Sequence, residues 1–270
     1  MSVPSVLESA YDAHTHIHLD LEDEGRSAAN ALCARLDGIA LMSLSADDWE
    51  QALELSSAHE RVHPLLGVHP WFAHRYAGRT DWLHTLSASL ERGVLGIGEI
   101  GLDKQWRTPD TGRVEYQAQR EVFAAQLELA AERQLPVSVH CVRAQGDLYE
   151  ALCTLKQLPP TIYLHAFAGA AGTVEQLIRS RRFGARLYFG FAACINLRSP
   201  KTAEVIRAVP EDKLLLESDR SSARPSGRVE GELLQMLALY AELKGWGGVE
   251  EAAQRTRQNA QSFYAPAGLR

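Results

Sequence analysis

The length, composition and charge of the chain exclude several classes of protein. Its 270 residues are 46% hydrophobic and carry a formal net charge of −6, so the chain can bury a large core and does not have the composition of a disordered or nucleic-acid-coating protein. No apolar run reaches the roughly 20 residues that span a bilayer, and the N-terminus lacks the basic and apolar segments of a signal peptide, so we expect no membrane association.

Short apolar runs alternate with longer amphipathic stretches, which predicts repeated βα units and a parallel sheet. The predicted strands are Tyr11–His14, Gly38–Leu44, His63–Gly67, Leu95–Gly98, Val137–His140, Ile162–His165, Leu187–Phe191 and Leu214–Glu217. The predicted helices are Glu24–Arg35, Asp47–His59, Trp82–Arg92, Tyr116–Arg133, Asp147–Lys156, Gly172–Arg182, Pro200–Ala208, Glu230–Leu243 and Val249–Phe263. Eight such units predict one α/β domain over residues 1–270, a (β/α)8 TIM-type barrel. The alternative, a doubly wound open sheet, lacks its GxGxxG phosphate turn here.

Side chains that can bind metal stand at the ends of five predicted strands. They are His14 and His16 after the first strand, Glu99 after the fourth, His140 after the fifth, His165 after the sixth and Asp219 after the eighth. One histidine in such a place is more often an ordinary core residue. The carboxyl ends of barrel strands, however, converge on one face, and buried imidazoles and carboxylates are costly without a partner. The set therefore predicts a metal site.

The donor atoms of this set indicate which metals fit. Nitrogen and oxygen donors without thiolate suit Mg²⁺, Mn²⁺, Zn²⁺ or cobalt, and they disfavour a structural zinc site. Six ligands exceed what one catalytic ion needs, so we expect two divalent ions bridged by a carboxylate. Such a pair activates water and stabilises an in-line displacement, which predicts a hydrolase.

The segment DAHTHIHLD offers two histidine pairs. Alternate strand residues share a face, so His14/His16 and His16/His18 both have the spacing of two ligands. The run YDAH continues better as a strand, which favours His14/His16 and leaves His18 in a loop near the rim. Asp12 is then placed to support a ligand from behind.

Seven motifs, in order along nearly the whole chain, resemble those of the TatD family of metal-dependent hydrolases, which belongs to the amidohydrolase-like barrels. They are DAHTH (Asp12–His16), LGVHP (Leu66–Pro70), GEIGLD (Gly98–Asp103), PVSVHCVRAQGDL (Pro136–Leu148), LHAFAG (Leu164–Gly169), KLLLESD (Lys213–Asp219) and RQNAQSFY (Arg257–Tyr264). The variant GLDK is similar to the fungal branch. The resemblance implies a metal-dependent deoxyribonuclease, with DNA as its substrate and attack from the 3′ end.

The resemblance also implies a role for each matched residue. It assigns His14, His16 and Asp219 to the first ion, His140 and His165 to the second ion, and Glu99 to both. Asp219 would also act as base for the attacking water.

Two further matched residues are implied to bind the substrate. His69, in GVHP, would orient the phosphate, or else it braces the turn before Pro70. Arg143 would clamp a phosphate through two hydrogen bonds, or else it pairs with Glu99 or Asp147.

The loop after the eighth strand departs from the family pattern, and both this loop and the loop after the fourth strand carry basic residues. The candidates for a phosphate-binding rim are Lys104 and Arg107 in the first loop, and Arg220, Arg224 and Arg228 in the second. We take Lys104 and Arg220 as substrate-binding candidates, and Trp106 as a residue on which a base could stack. A solvated loop and ordinary packing of Trp106 are the alternatives.

Two other functions remain open, a hydrolase of a small amide, ester or lactone, and a scaffold protein in a larger complex with vestigial activity. Four scattered cysteines, Cys33, Cys141, Cys153 and Cys194, form no CxxC pair, which favours a reducing compartment. We expect the cytoplasm, with the nucleus as a second location. We also expect a monomer, with protein partners in a larger complex as a further prediction.

Overall fold

The computed structural model describes residues 6–269, and its eight parallel strands follow one another in chain order in a single sheet. They are β1 (Tyr11–Thr15), β2 (Gly38–Met42), β3 (Val62–Leu66), β4 (Gly96–Asp103), β5 (Val137–Val142), β6 (Ile162–Leu164), β7 (Leu187–Phe191) and β8 (Leu214–Leu216). The Asp219 amide, just beyond β8, donates to the His14 carbonyl of β1 at 3.0 Å, so the sheet nearly closes. The predicted fold class, a (β/α)8 TIM-type barrel, is confirmed. The predicted span of one domain over 1–270 stays a prediction, because residues 1–5 and 270 lie outside the described residues.

Helices lie between successive strands, and two more follow β8. They are α1 (Glu24–Arg35), α2 (Trp49–Ala58), α3 (Asp81–Ser89), α4 (Tyr116–Arg133), α5 (Gln145–Thr154), α6 (Ala171–Ile178), α7 (Ala193–Asn196), α8 (Thr202–Ala208), α9 (Val229–Lys244) and α10 (Val249–Tyr264). Helices α1 and α4 have their predicted bounds. The short helix α7 was not predicted, since four residues are too few to show helical periodicity. None of the helices in residues 6–269 has the length and apolarity that crossing a membrane requires.

The largest difference between a predicted and an observed strand boundary concerns β4. We expected it to end at Gly98, but it continues to Asp103 and therefore carries Glu99 within the strand. Its pairing with β5 shifts register between Ile97 and Ile100 and then resumes up to Asp103. An irregularity of this kind interrupts the side-chain alternation on which the sequence prediction relied.

The amino end of the barrel is closed by α10. Its residues Phe263 and Tyr264 are fully buried in a cluster that also contains Tyr11 and Tyr163. The Tyr264 hydroxyl donates to the Ala13 carbonyl at 3.0 Å. An aromatic plug at this end leaves the carboxyl end as the open mouth of the barrel, where active sites of this fold are built.

The contact between β7 and β6 gives a test of barrel packing. A Cβ atom on Gly190 would overlap the hydroxyl of Tyr163, which is itself fully buried. We expect Gly190→Ala to lower the free energy of unfolding by about 1–3 kcal/mol, the usual effect of overpacking, measured by urea denaturation. The control is Gly231→Ala in α9, where a Cβ meets no atom within 4 Å and where alanine should raise stability by about 0.5–1 kcal/mol. Equal stability of the two variants would contradict the described packing.

Candidate metal centre

The mouth of the barrel is organised around one buried carboxylate, Glu99, which is 2% exposed. Its Oε2 atom lies 3.3 Å from His14 Nε2 and 3.1 Å from His16 Nε2. Its Oε1 atom faces three other imidazole nitrogens, His69 Nε2 at 3.2 Å, His140 Nδ1 at 2.8 Å and His165 Nε2 at 2.7 Å. Each oxygen therefore faces its own group of nitrogens, as a carboxylate must do to bridge two cations.

His14, His16 and Asp219 form the first group. The two Nε2 atoms lie 3.2 Å apart, and Asp219 Oδ1 lies 3.7 Å from His14 Nε2 and 3.5 Å from His16 Nε2. These ligand atoms are close enough to bind one metal ion together. The structure thus brings together the histidine pair that the sequence favoured.

His18 lies elsewhere, and its predicted place near the rim is wrong. It is fully buried in the short 3-10 helix Ile17–Leu19, and its Nε2 atom lies 3.5 Å from Asp48 Oδ2. The chain leaves the strand direction after Thr15, so the alternation that relates His14 to His16 does not extend to His18.

His140 and His165 form the second group with Glu99. His140 Nδ1 lies 3.4 Å from His165 Nε2, and both nitrogens face the same Glu99 oxygen. The predicted ligands from β5 and β6 therefore lie beside the predicted bridging residue.

Several imidazoles are also held by the ring nitrogen that faces away from Glu99. The contacts are His14 Nδ1 to Ser138 Oγ at 2.9 Å, His16 Nδ1 to the Met42 carbonyl at 2.6 Å, and His140 Nε2 to Asp103 Oδ2 at 3.3 Å. A carbonyl only accepts, so His16 Nδ1 donates to Met42, and Nε2 is the ring nitrogen that faces Glu99 and would bind a metal ion. Histidines that bind metal are typically oriented in this way.

His69 has the opposite arrangement. Its Nδ1 atom accepts a hydrogen bond from the Trp71 amide at 3.2 Å, so the proton of the neutral ring is on Nε2, which faces Glu99 Oε1. A protonated nitrogen donates and cannot bind a cation. His69 therefore has the geometry of a hydrogen-bond donor to Glu99, although His69, Glu99 and His140 are close enough to be considered a metal group. The contact with Trp71 also caps the 3-10 turn Pro70–Arg75, which begins after His69 and is not the turn before Pro70 that the alternative interpretation named.

Two acidic residues of this site were missed by the sequence reasoning. Asp103 accepts from Trp71 Nε1 at 2.9 Å and contacts His140 Nε2 at 3.3 Å. Although burial works against the charge, the hydrogen bonds from His140 and Trp71 hold the Asp103 pKa below its usual range. Asp103 ends GEIGLD, the motif that also contains Glu99, and this was the available signal.

Glu217 is the second missed acid. It is fully buried, and its carboxylate accepts from the Tyr163 hydroxyl at 2.5 Å and from the Ala166 amide at 2.7 Å. Burial raises the pKa of Glu217 to about 8. His165 Nδ1 lies 3.9 Å away, so Glu217 flanks the second group from outside. Glu217 precedes Asp219 by two residues in LLLESD, and this spacing was the signal in the sequence.

The surrounding imidazoles keep the Glu99 carboxylate ionised. Burial alone would raise the pKa of Glu99, but the charges of His165, His69 and His14 hold it well below its usual range. Burial also opposes charge on His16, yet its hydrogen bonds to Asp219 and Glu99 raise its pKa to about 10. Ionised carboxylates surrounded by imidazole nitrogens form the donor set that Mg²⁺, Mn²⁺ or Zn²⁺ can use.

The predicted substrate-binding residues Lys104 and Arg143 directly follow β4 and β5, and they differ in their contacts. Arg143 is exposed, with Nε and Nη2 3.3 Å from the Gln105 amide, and no carboxylate of residues 6–269 lies within 4.0 Å of it. Neither alternative salt bridge, to Glu99 or to Asp147, is therefore formed. Lys104 instead pairs with Asp147 at 2.5 Å.

Two of the three candidate arginines after β8, Arg220 and Arg224, are also paired. Arg220 Nε donates to Glu232 at 2.9 Å, and the Arg220 carbonyl accepts from the His16 amide at 2.8 Å. Arg224 pairs with Asp20 at 2.8 Å. These contacts support the loop, and they reduce the charge that either guanidinium can offer a phosphate.

The sequence profile described as TatD related DNase matches residues 11–265. The chain belongs to the TatD family. This membership confirms the predicted class of enzyme, a metal-dependent hydrolase that acts on phosphodiester bonds. The narrower resemblance to the fungal branch stays a prediction, because bacterial and fission yeast relatives match at comparable identity.

Individual relatives cover nearly all of the chain. The 3′-5′ ssDNA/RNA exonuclease TatD of Enterobacter lignolyticus is 31% identical, over 84% of this chain and 86% of the relative. The Cut9-interacting protein scn1 of Schizosaccharomyces pombe is 27% identical, over 95% and 99%. The crystal structure of YJJV, a TatD homologue from Escherichia coli, superposes with a TM-score of 0.75 at 26% identity, over 95% and 98%.

The position of Glu99 between two groups of nitrogens can be tested by metal analysis. We expect Glu99→Gln to lower the divalent metal bound per chain by tenfold or more at limiting metal, since an amide removes the charge shared by both groups. Metal content would be measured by mass spectrometry on protein purified without chelator. The control is Glu128→Gln on the exposed side of α4, which should retain its metal. Unchanged metal in Glu99→Gln would contradict a bridging role.

Proposed function

We propose that the chain is a 3′–5′ exonuclease that acts on single-stranded DNA, with two divalent ions in the metal centre. The observation that carries this proposal is the Glu99 carboxylate, whose two oxygens face separate groups of imidazole nitrogens. A relative named as a 3′-5′ ssDNA/RNA exonuclease supports the direction of attack and the single-stranded substrate.

The proposed ligands are those inferred from the sequence. They are His14, His16 and Asp219 for the first ion, His140 and His165 for the second, and Glu99 for both. When bound, the ions lower the pKa of water and withdraw charge from the phosphate.

Asp219 is the proposed base. Its side chain is 16% exposed, whereas Glu99 and the His14 imidazole are almost completely buried. Asp219 is therefore the carboxylate of this group that solvent and substrate can reach, and it accepts the proton of the attacking water. The His69 Nε2–H group donates a hydrogen bond to Glu99 Oε1 and holds that carboxylate in place. Direct contact of His69 with the substrate phosphate stays a prediction.

Arg143 is the proposed phosphate clamp, because its guanidinium is exposed and its contact at 3.3 Å is with a neutral amide. Lys104 and Arg220 stay substrate-binding predictions of smaller effect, since a carboxylate already neutralises each of them. A guanidinium can bind two phosphate oxygens at once.

The remaining predictions concern context. One relative is named for an interaction with another protein, which supports protein partners in a larger complex as a further proposal. Location in the cytoplasm or nucleus and the monomeric state stay predictions. No observation favours a small amide, ester or lactone as the substrate.

The role of Asp219 can be tested by turnover. We expect Asp219→Asn to lower kcat by at least a thousandfold on a single-stranded oligonucleotide, because the base and one ligand charge are lost together. Melting temperature should stay within a few degrees of the wild type. The matched control, Asp110→Asn in an exposed loop, should leave kcat unchanged. Turnover near the wild-type rate would remove Asp219 as the base.

The difference between Arg143 and Lys104 can be tested by salt dependence. We expect Arg143→Gln to raise KM for the oligonucleotide and to reduce the slope of log binding constant against log salt by about 0.7, the value for one phosphate contact on a single strand. Lys104→Gln should change both quantities less, since Asp147 already neutralises that ammonium. The reverse order of effects would show that Lys104 is the phosphate contact.

A further inference from the structure

Large hydrophobic side chains remain exposed on one face of the barrel. Within residues 6–269 they are Leu19, 37% exposed, Trp71, 37% exposed, and Ile195, 43% exposed. Each lies in a segment that directly follows the carboxyl end of a strand, namely β1, β3 and β7. One exposed apolar residue is ordinary, but several at the mouth that holds the metal centre suggest a surface that a ligand covers.

Trp71 and Ile195 line one cleft of about 440 Å³, which we call the aromatic cleft. Trp106 and Ala168 also line it, and His140 and Asp219 connect it to the metal centre. Strands β3 and β7 are four apart in the order of eight, so Trp71 and Ile195 approach the mouth from opposite sides. The volume is within the range of small-ligand pockets.

The two tryptophans of the cleft are stacked and fixed. Their ring centroids lie 5.8 Å apart with an interplanar angle of 11°. The Asp103 carboxylate accepts from Trp71 Nε1 at 2.9 Å and from the Trp106 amide at 3.0 Å, and it also contacts His140 Nε2 at 3.3 Å. One carboxylate therefore orients the Trp71 ring and positions the backbone of Trp106, whose ring stacks on Trp71. A face fixed in advance loses little conformational entropy on binding.

We propose that the aromatic cleft binds an unpaired nucleobase at the scissile end of the substrate, with Trp71 and Trp106 as the stacking face and Ile195 as the opposing apolar wall. This inference rests on the proposed exonuclease function and adds the residues that select for unpaired ends. Stacking accepts any base, because every base has a π face. A paired terminal base must first unpair before it can enter the cleft.

A base bound in the cleft would also place the phosphate of its nucleotide beside the metal centre. His140, His165 and Asp219 line the same cleft as the tryptophans, so a nucleotide whose base lies between the two tryptophans and Ile195 keeps its phosphate beside these residues. Arg143 lies just beyond β5 at the same mouth. Binding of the base and orientation of the scissile bond are therefore performed by adjacent residues.

The test compares Trp106→Ala and Trp106→Phe on two single-stranded oligonucleotides, one ordinary and one with abasic sites at its three 3′ positions. We expect Trp106→Ala to raise KM for the ordinary oligonucleotide by about 5- to 150-fold, the effect of losing one stacked base, with kcat changed less than about threefold. Trp106→Phe should recover most of this loss. The abasic oligonucleotide should already bind weakly to the wild type, and Trp106→Ala should not weaken it further.

A binding measurement separates the cleft from the exonuclease function. The wild-type holoenzyme is titrated into a 5′-fluorescein oligonucleotide with phosphorothioate linkages at its 3′ end, and anisotropy is followed without turnover. Binding that depends on Trp106 without cleavage of ordinary DNA would support the cleft and overturn the exonuclease. Cleavage with a KM that is unchanged in Trp106→Ala would overturn the cleft alone.

Ile195→Ser keeps the proposal testable if Trp106→Ala does not fold. Ile195 is exposed, so its replacement should not change the melting temperature, but it should raise KM for the ordinary oligonucleotide several-fold and leave the abasic one unchanged. An equal loss on both oligonucleotides would show that the cleft contacts the backbone, which would overturn base binding.

Discussion

The Glu99 carboxylate is the charge on which the mouth of the barrel depends. A carboxylate that is 2% exposed is strongly unfavourable unless other groups compensate it. Five imidazoles compensate it here, from β1, β3, β5, β6 and the residues that directly follow them. The contacts exist only when the barrel is nearly closed, so the same packing that forms the fold also assembles a donor set for divalent metal.

A layer of polar contacts behind the imidazoles determines which ring nitrogen of each histidine faces Glu99. The Met42 carbonyl accepts from His16 Nδ1, which leaves His16 Nε2 to bind a metal ion. The Trp71 amide donates to His69 Nδ1, so the proton of that ring is on Nε2, the nitrogen that faces Glu99. Asp103 extends the same layer outward, since it contacts His140 and holds both tryptophans of the aromatic cleft. The metal centre and the proposed base-binding surface therefore share one support.

Charge at the mouth is mostly neutralised within the protein. Lys104, Arg220 and Arg224 each pair with a carboxylate, and the whole chain carries a net charge of −6. Such a surface does not attract nucleic acid strongly over a wide area. In the proposed function, recognition therefore depends on a few groups close to the metal centre, Arg143 and the aromatic cleft among them. This arrangement suits an enzyme that binds the end of a strand.

The sequence by itself determined the eight βα units and the six strand-end residues from His14 to Asp219, because periodicity and chain order are local properties that a barrel converts into one face. Only the tertiary structure decided the rest of the site. His18 turned inward, Asp103 and Glu217 became supporting acids, and Lys104 was paired with Asp147, 43 residues away. Partners so distant in sequence, and the ring nitrogen that carries a proton, depend on which atoms the closed barrel brings within hydrogen-bond distance.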